Sequence, residues 1–324
     1  MRILIAGGTS FVGRAIAWSM WRAGHDVTVI NRGTTPSDLP DLIERLVGDR
    51  RGDLSALHGR TFDATVDTIA YRPGDVASLA GALGARGGHH IQISSISAYQ
   101  DPPAAGLTEA HGVLWPGDGL DLEAPISATT YGPLKAAAER AAHEYFGEHL
   151  AIVRPTFVIG SHDATLRFPY WVERVRRGGD VAVPGPRTNA MQWIDARDLA
   201  QFVTGIAEHS TLGAFHVAGP SPSDTFVSMV QQIADHLAPG RSTIHDIDPE
   251  RVDRAGLAEK FPLWSGPDSE NTLSIDNRRA VEHGLTLRSL TESVDDVVDW
   301  WGDREWPDHW LTDAEEARLL SSED

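Results

Sequence analysis

Short apolar runs rich in β-branched residues alternate with longer amphipathic stretches through the first half of the chain, the pattern of βα repeats around a parallel sheet. Strands are predicted at residues 2–6 (RILIA), 26–30 (DVTVI), 64–70 (ATVDTIA), 90–94 (HIQIS) and 150–154 (LAIVR), with another ending in the VGDR segment near Asp49. Between them, residues 11–24 place Val12, Ile16, Met20 and Trp21 on one helical face, and a second helix runs from Asp75. A long connection from Gln100 to Thr130, rich in Pro, Gly and Asp and containing His111 and Trp115, reads as a functional lid or an insertion. After Pro155 the pattern is mixed. A helix over Tyr170 to Arg177, a short strand at 181–183, a strand and helix over 191–209 and a strand at 214–220 precede a mostly helical remainder. The acidic, tryptophan-rich end reads as a packed structural tail, with an oligomer contact, and so a homodimer, as the alternative. These elements predict an α/β fold, a doubly wound parallel sheet with a smaller helical lobe.

The 324 residues suffice for one large core or two unequal ones. Lys+Arg of 28 against Asp+Glu of 46 leaves a formal charge of −18, which repels phosphate backbones and anionic lipid, so neither nucleic acid nor a membrane surface is an expected partner. With no cysteine, disulfides and thiolate catalysis are excluded. The opening apolar run, Ile3 to Ala6, is too short for a signal-peptide core, and a cytoplasmic location is expected. His143-Glu144 begins a zinc-protease motif, but residue 147 is glycine, and no GxSxG elbow occurs.

The first strand runs into Gly7-Gly8-Thr9-Ser10-Phe11-Val12-Gly13 and then a helix. Small residues let the backbone approach a pyrophosphate while the helix N-terminus offers free N–H groups, the context of a dinucleotide-binding turn. The spacing resembles the GxxGxxG turn of short-chain dehydrogenases, with Ser10 in place of the central glycine. After the second strand stand Asn31 and Arg32 where a carboxylate would accept from a ribose 2′-hydroxyl; an arginine there pairs with a 2′-phosphate, which favours NADP over NAD. Tyr131 and Lys135, four residues apart at the head of a helix, share one face, and Lys135 is one of only two lysines. Hydride transfer to a carbonyl leaves an alkoxide that must take a proton. A tyrosine supplies it well when a nearby cation lowers its pKa, and a serine hydroxyl orients the carbonyl. Ser95, in the strand end ISSISAY, is the serine chosen over Ser94.

These stretches, with VRPTFVIG at 153–160, WIDARDLA at 193–200 and FHVAGP at 215–220, resemble the extended or atypical short-chain dehydrogenase/reductase superfamily, in its NAD(P)-dependent epimerase/dehydratase family. The resemblance spans Met1 to about Pro220. It implies a Rossmann-type NAD(P)-binding domain of residues 1–165 plus about 190–219, and a substrate-binding lobe of about 166–189 plus 220–324. It implies Ser95, Tyr131 and Lys135 as catalytic, and Asp49, Ala70, Tyr71, Ser94, Pro155, Thr156, Phe157 and Val158, with Lys135 and the glycine turn, as the cofactor wall. Asp198 is expected to be structural. Two departures narrow the substrate. Ser95 is followed by Ile96-Ser97, so the acidic pair of sugar-nucleotide dehydratases is missing, and Met191 holds the place of an arginine that clamps a diphosphate in nucleotide-sugar epimerases. Arg174 and Arg187 are the arginines that would compensate. Trp115, Tyr170, Trp171 and Trp193 fall on segments that line the substrate cleft in relatives, pointing to a small, apolar or aromatic carbonyl or alcohol. The expectation is an NADP-dependent oxidoreductase. An epimerase acting on a sugar or nucleotide sugar, and a catalytically silent NADP-binding or RNA-binding relative, are its rivals.

Overall fold

The computed structural model describes residues 1–100, 105–110, 114–267 and 273–321; His111 of the long connection lies outside them. The chain opens with β1 (Arg2–Ala6), α1 (Phe11–Arg22), β2 (Asp26–Asn31) and β3 (Glu44–Val47), and continues through β4 (Ala64–Asp67), α2 (Pro73–Leu83) and β5 (His89–Ile93). After the long connection come α3 (Tyr131–Phe146), β6 (Leu150–Pro155), β7 (Phe157–Ile159), α4 (Arg167–Arg177) and β8 (Gly179–Pro184). Then follow β9 (Ala190–Asp195), α5 (Ala196–His209), β10 (Gly213–Val217), β11 (Gly219–Thr225), α6 (Phe226–Leu237) and β12 (Ser242–Ile247). The last elements are α7 (Pro249–Arg254), α8 (Arg278–Glu282), α9 (Leu290–Trp301) and α10 (Asp313–Leu320).

Seven strands form one sheet in the order β10-β6-β5-β4-β1-β2-β3, every neighbouring pair parallel. This is the doubly wound α/β sheet expected, Rossmann-type. Strand order reverses at β1, whose Ala6 registers with Ile30 on one side and Asp67 on the other, so a crevice opens above the C-terminal ends of β1 and β4. The predicted fourth strand ran on to Ala70, but β4 stops at Asp67. Thr68 turns the chain away, its N–H and Oγ1 both donating to the Ala6 carbonyl, which folds Ile69 over the glycine turn.

Alternate residues of the same strands face opposite ways. Toward α1 and α5 point Ile3, Ile5, Val66, Ile91, Val153 and Phe215, an apolar layer. Toward α2 and α3 point Thr65, Asp67, His90, Gln92, Arg154 and His216, all buried. Arg154 forks onto Glu139 of α3 at 2.9 and 2.6 Å and donates to the Tyr99 hydroxyl at 2.5 Å, which lies 2.6 Å from His216 Nε2.

A second apolar core gathers around α4, α6 and α9, with Phe168, Trp171, Met191, Phe226 and Val230 inside it. The tryptophan-rich tail closes this core: Trp301 and Trp310 stack with centroids 5.2 Å apart, and Trp306 packs edge-on at 4.7 Å from Trp310. The region past Pro220 is less purely helical than its sequence suggests. Residues 219–225, of which only Gly219 and Pro220 were expected to be strand, pair antiparallel with β9, and β12 pairs with β8.

Candidate active site

The glycine turn is built by close approach. Gly7 has φ +88°, and a Cβ there would come 2.5 Å from Ile69 Cγ2; one on Gly13 would sit 2.1 Å from the Gly7 carbonyl oxygen. Phe11, the first residue of α1, is held at φ +34°, a conformation that side chains avoid and that functional turns tolerate. Ser10 caps the helix without a side-chain hydrogen bond, and its first turn has no acidic residue, so N–H groups face the crevice without a competing anion.

Two hollows meet at this turn. One, of about 300 Å³, is lined by Gly7, Thr9, Ser10, Asn31, Arg32, Asp49 and Tyr71, and by Arg50, Arg51 and Arg72. The sequence reading had not singled out these last three arginines. Arg50 is taken up by Asp67 at 2.8 Å, and Arg72 donates to the Ala124 carbonyl at 2.6 Å, tying down the long connection. Arg32 is exposed and makes no ion pair with a described residue. The other hollow, of about 640 Å³, is lined by Gly7, Ser10, Phe11, Val12, Gly13, Tyr71, Ser94, Ser95, Tyr131, Lys135, Pro155, Thr156, Phe157 and Val158. In its wall Ser94 Oγ and Thr156 Oγ1 are buried without a partner among the described residues, the kind of polar atoms that a dinucleotide's amide and ribose would satisfy. Gly8 and Ala70 line neither hollow. Gly8 packs against Val29, where a Cβ would come within 2.5 Å of Cγ1, and Ala70 contributes its carbonyl to Lys135.

Ser95 leaves the end of β5, its Oγ accepting from Ser97 N at 3.1 Å, while Tyr131 opens α3 and Lys135 follows one turn on. All three reach the larger hollow. Lys135 is buried and donates to the carbonyls of Ala70 and Ile93 at 2.9 and 2.8 Å, with its Nζ 4.8 Å over the Tyr71 ring. Burial pulls its pKa down to about 8, against the opposing pull of Asp67 and Glu139. Burial raises Tyr131 to about 12, Tyr71 adds to the rise, and a hydrogen bond from Ser95 and the charge of Arg167 act in the other direction. The expected lowering of the phenol by Lys135 is not realised, because the ammonium is engaged by two backbone carbonyls and the phenol lies in a buried wall.

The expected substrate residues are corrected by their placement. Trp171 is fully buried between Phe226 and Phe261 and donates to the Pro262 carbonyl at 2.7 Å. Tyr170 and Met191 are equally buried in that core. Arg174 pairs with Glu316 at 2.7 Å inside it, and Arg187 pairs with Asp246 at 3.1 Å at the surface. Trp193 lines a different hollow, with Asp195, Gly219 and Leu290. Trp115 packs on the start of α3 beside Gly132 and is not in the cleft wall. Asp198 is structural as expected, accepting from the Arg288 backbone and guanidinium at 2.8 and 2.7 Å. The wall beyond the serine and tyrosine is instead Ile96, Ile126, Phe157 and Leu273, with Arg167 as its guanidinium. Nothing in the local pattern marks Arg167. It is aimed by a turn in which Asp163 accepts from the Thr165 and Arg167 N–H groups.

A parallel sheet with a glycine turn at its switch point, and a serine, tyrosine and lysine in the adjoining cleft, defines an NAD(P)-dependent enzyme of the short-chain dehydrogenase/reductase type. The model of the NAD dependent epimerase/dehydratase family matches residues 3–218, and the chain belongs to that family. A 2-alkyl-3-oxoalkanoate reductase from Stenotrophomonas maltophilia (strain K279a) is 30% identical over 231 residues, which span 63% of this chain and 64% of that protein. Among solved structures, a UDP-N-acetylglucosamine 4-epimerase from Bacillus cereus superposes with a TM-score of 0.69 at 16% identity, covering 96% of this chain and 100% of the other. A dTDP-glucose 4,6-dehydratase from Streptomyces venezuelae, solved with NAD, gives 0.67 at 18% identity over 93% and 97%. At these identities the likeness of the solved structures is one of fold. No helix among the described residues is long and apolar enough to cross a membrane.

Proposed function

We propose that the protein is an NADP-dependent oxidoreductase that interconverts a small carbonyl compound and its alcohol, with Tyr131 as the proton donor and acceptor. The observation that carries this reading is that Ser95, Tyr131 and Lys135 line one cleft with the glycine turn. When bound, the nicotinamide supplies or accepts the hydride. Ser95 holds the carbonyl oxygen by its hydroxyl. As the carbonyl carbon gains the hydride, its oxygen takes the π pair and then the Tyr131 proton, and the resulting phenolate regains a proton from solvent. With its pKa at about 12, the phenol holds its proton at neutral pH. Lys135, with two of its three N–H donors on backbone carbonyls, would give the third to a ribose hydroxyl. Arg32, exposed beside Asn31 and Arg51 at the rim of the smaller hollow, supports NADP over NAD.

The reductase relative from Stenotrophomonas maltophilia supports net reduction of an oxo compound. The fold of the sugar-nucleotide enzymes supports the second reading, an epimerase that oxidises and re-reduces one carbon. NADPH consumption with carbonyl compounds separates the two, since epimerisation uses none. Tyr131→Phe is expected to lower turnover by roughly 10² to 10⁴ while NADPH binding persists; unchanged turnover refutes the role. Arg32→Ala should weaken NADP binding about ten- to hundredfold and leave NAD binding alone. Equal NADP affinity in the two proteins, measured by calorimetry, removes the cofactor assignment.

A further inference from the structure

We infer that Arg167 is the docking point for a carboxylate on the substrate, so that this protein takes oxo acids in preference to neutral carbonyl compounds or diphosphate sugars. The inference deepens the oxidoreductase reading and rests on it. Arg167 and Lys135 are the two cations in the wall of the 640 Å³ cleft among the described residues, and Lys135 is already engaged by two carbonyls. Arg167 is half-buried and makes no ion pair with a described residue, whereas the buried Arg154 and Arg174 each have a carboxylate. In a chain with an 18-charge acidic excess, a cleft guanidinium with no carboxylate partner among the described residues is a charge that a ligand can match.

The guanidinium is also aimed. Its Nε donates to Thr165 Oγ1 at 2.9 Å, Thr165 Oγ1 donates to Asp163 Oδ1 at 2.6 Å, and Asp163 is buried. Its guanidinium carbon lies 5.7 Å from the centroid of the Phe157 ring, within cation–π range. With Nε donating to Thr165, the two terminal nitrogens are left as a fork that can donate to both oxygens of one carboxylate. The same wall carries Ile96, Ile126, Phe157, Leu273 and Ser97, apolar or hydroxylic side chains. Such a wall matches a short hydrocarbon link between a carbonyl held at Ser95 and Tyr131 and an acid held at Arg167. A diphosphate needs more than one cation once desolvated, and the arginines first considered for that purpose, Arg174 and Arg187, are engaged elsewhere.

The test compares stable oxo acids, 4-oxopentanoate and 5-oxohexanoate, with their methyl esters, using NADPH and the full chain. Wild type should prefer acid over ester by about ten- to hundredfold in kcat/KM, the size of a charge-assisted pair, with the preference residing in KM. Arg167→Leu should collapse that ratio to near one and Arg167→Lys should restore part of it, both variants binding NADPH as wild type does. Equal use of acid and ester by wild type, or a preference that survives Arg167→Leu, overturns the assignment. If neither compound is reduced, the oxidoreductase reading fails. Calorimetry on the NADPH-loaded protein then decides: binding of the acid but not the ester, lost in Arg167→Leu, sustains the carboxylate site, and absence of acid binding overturns it. UDP-glucose binding more tightly than the acids and depending on Arg167 would also overturn it, in favour of a phosphate.

Discussion

The two faces of the central sheet are made by the same strands, one residue apart, and are built for different ends. Ile91 and Ile93 enter the layer under α1 and α5, while His90 and Gln92 of the same strand enter the layer under α2 and α3; Val153 and Arg154, and Phe215 and His216, divide in the same way. The first face gains stability from apolar burial and shape. The second buries Asp67 against Arg50 and Glu139 against Arg154, and beside them sits Lys135 in the cleft wall. Buried ion pairs contribute little net stability compared with well-packed hydrocarbon, so this arrangement serves position more than stability. The contrast teaches that one sheet can separate holding from acting by side-chain parity alone.

Breaking either face should have the largest effect, and the polar one tests the contrast most directly. Glu139→Leu leaves Arg154 buried and uncompensated, and is expected to cost about 3–5 kcal/mol in a denaturant melt. A loss under 1 kcal/mol would show that this pair is not held away from water. On the apolar face, Phe215→Ala should cost about 3–5 kcal/mol through the cavity it leaves, but with NADPH affinity and turnover of the folded protein unchanged. A large kinetic defect in that variant would mean that the faces are not independent. The smallest effect is specific to pH. His90 is stacked on Phe146 with centroids 3.7 Å apart, and burial holds its pKa at about 4, below the 6.5 of an open histidine. The unfolded chain therefore binds the extra proton first as pH falls. Stability should drop between pH 6.5 and pH 4 by up to about 3 kcal/mol, and His90→Phe should flatten that part of the stability–pH curve. A curve that keeps its slope in the variant assigns the loss to another group.

Features that depend on short spacing were legible beforehand. The glycine turn needs only a strand, small residues and a helix, and Tyr131 and Lys135 need only one helical turn, so both were found in place from their local pattern. Side-chain direction relative to a distant wall has no such signature. Trp171 belongs to a helix whose spacing suits a core as well as a cleft, and the partner that decides, Phe226, lies 55 positions further on. Arg167 was missed because its aim depends on Asp163 and on Leu166 at φ +55°, a turn that a segment reading DATLRF does not announce. The Glu139–Arg154 pair has no local signature, since it forms only when the helix and strand that carry them come together.

The tail that closes the second core has an optical consequence. Seven of the ten tryptophans, Trp171, Trp193, Trp264, Trp300, Trp301, Trp306 and Trp310, lie in or against that core, while Trp18 and Trp21 adjoin the sheet. Ultraviolet emission from this protein therefore comes mainly from one part of the molecule, and the stacked Trp301 and Trp310, 18° apart in plane, lose their ring contact when the tail detaches. Emission followed during unfolding is a record of the second core, far-ultraviolet dichroism weighs helices and sheet together, and coincidence of the two curves is the mark of a single cooperative unit.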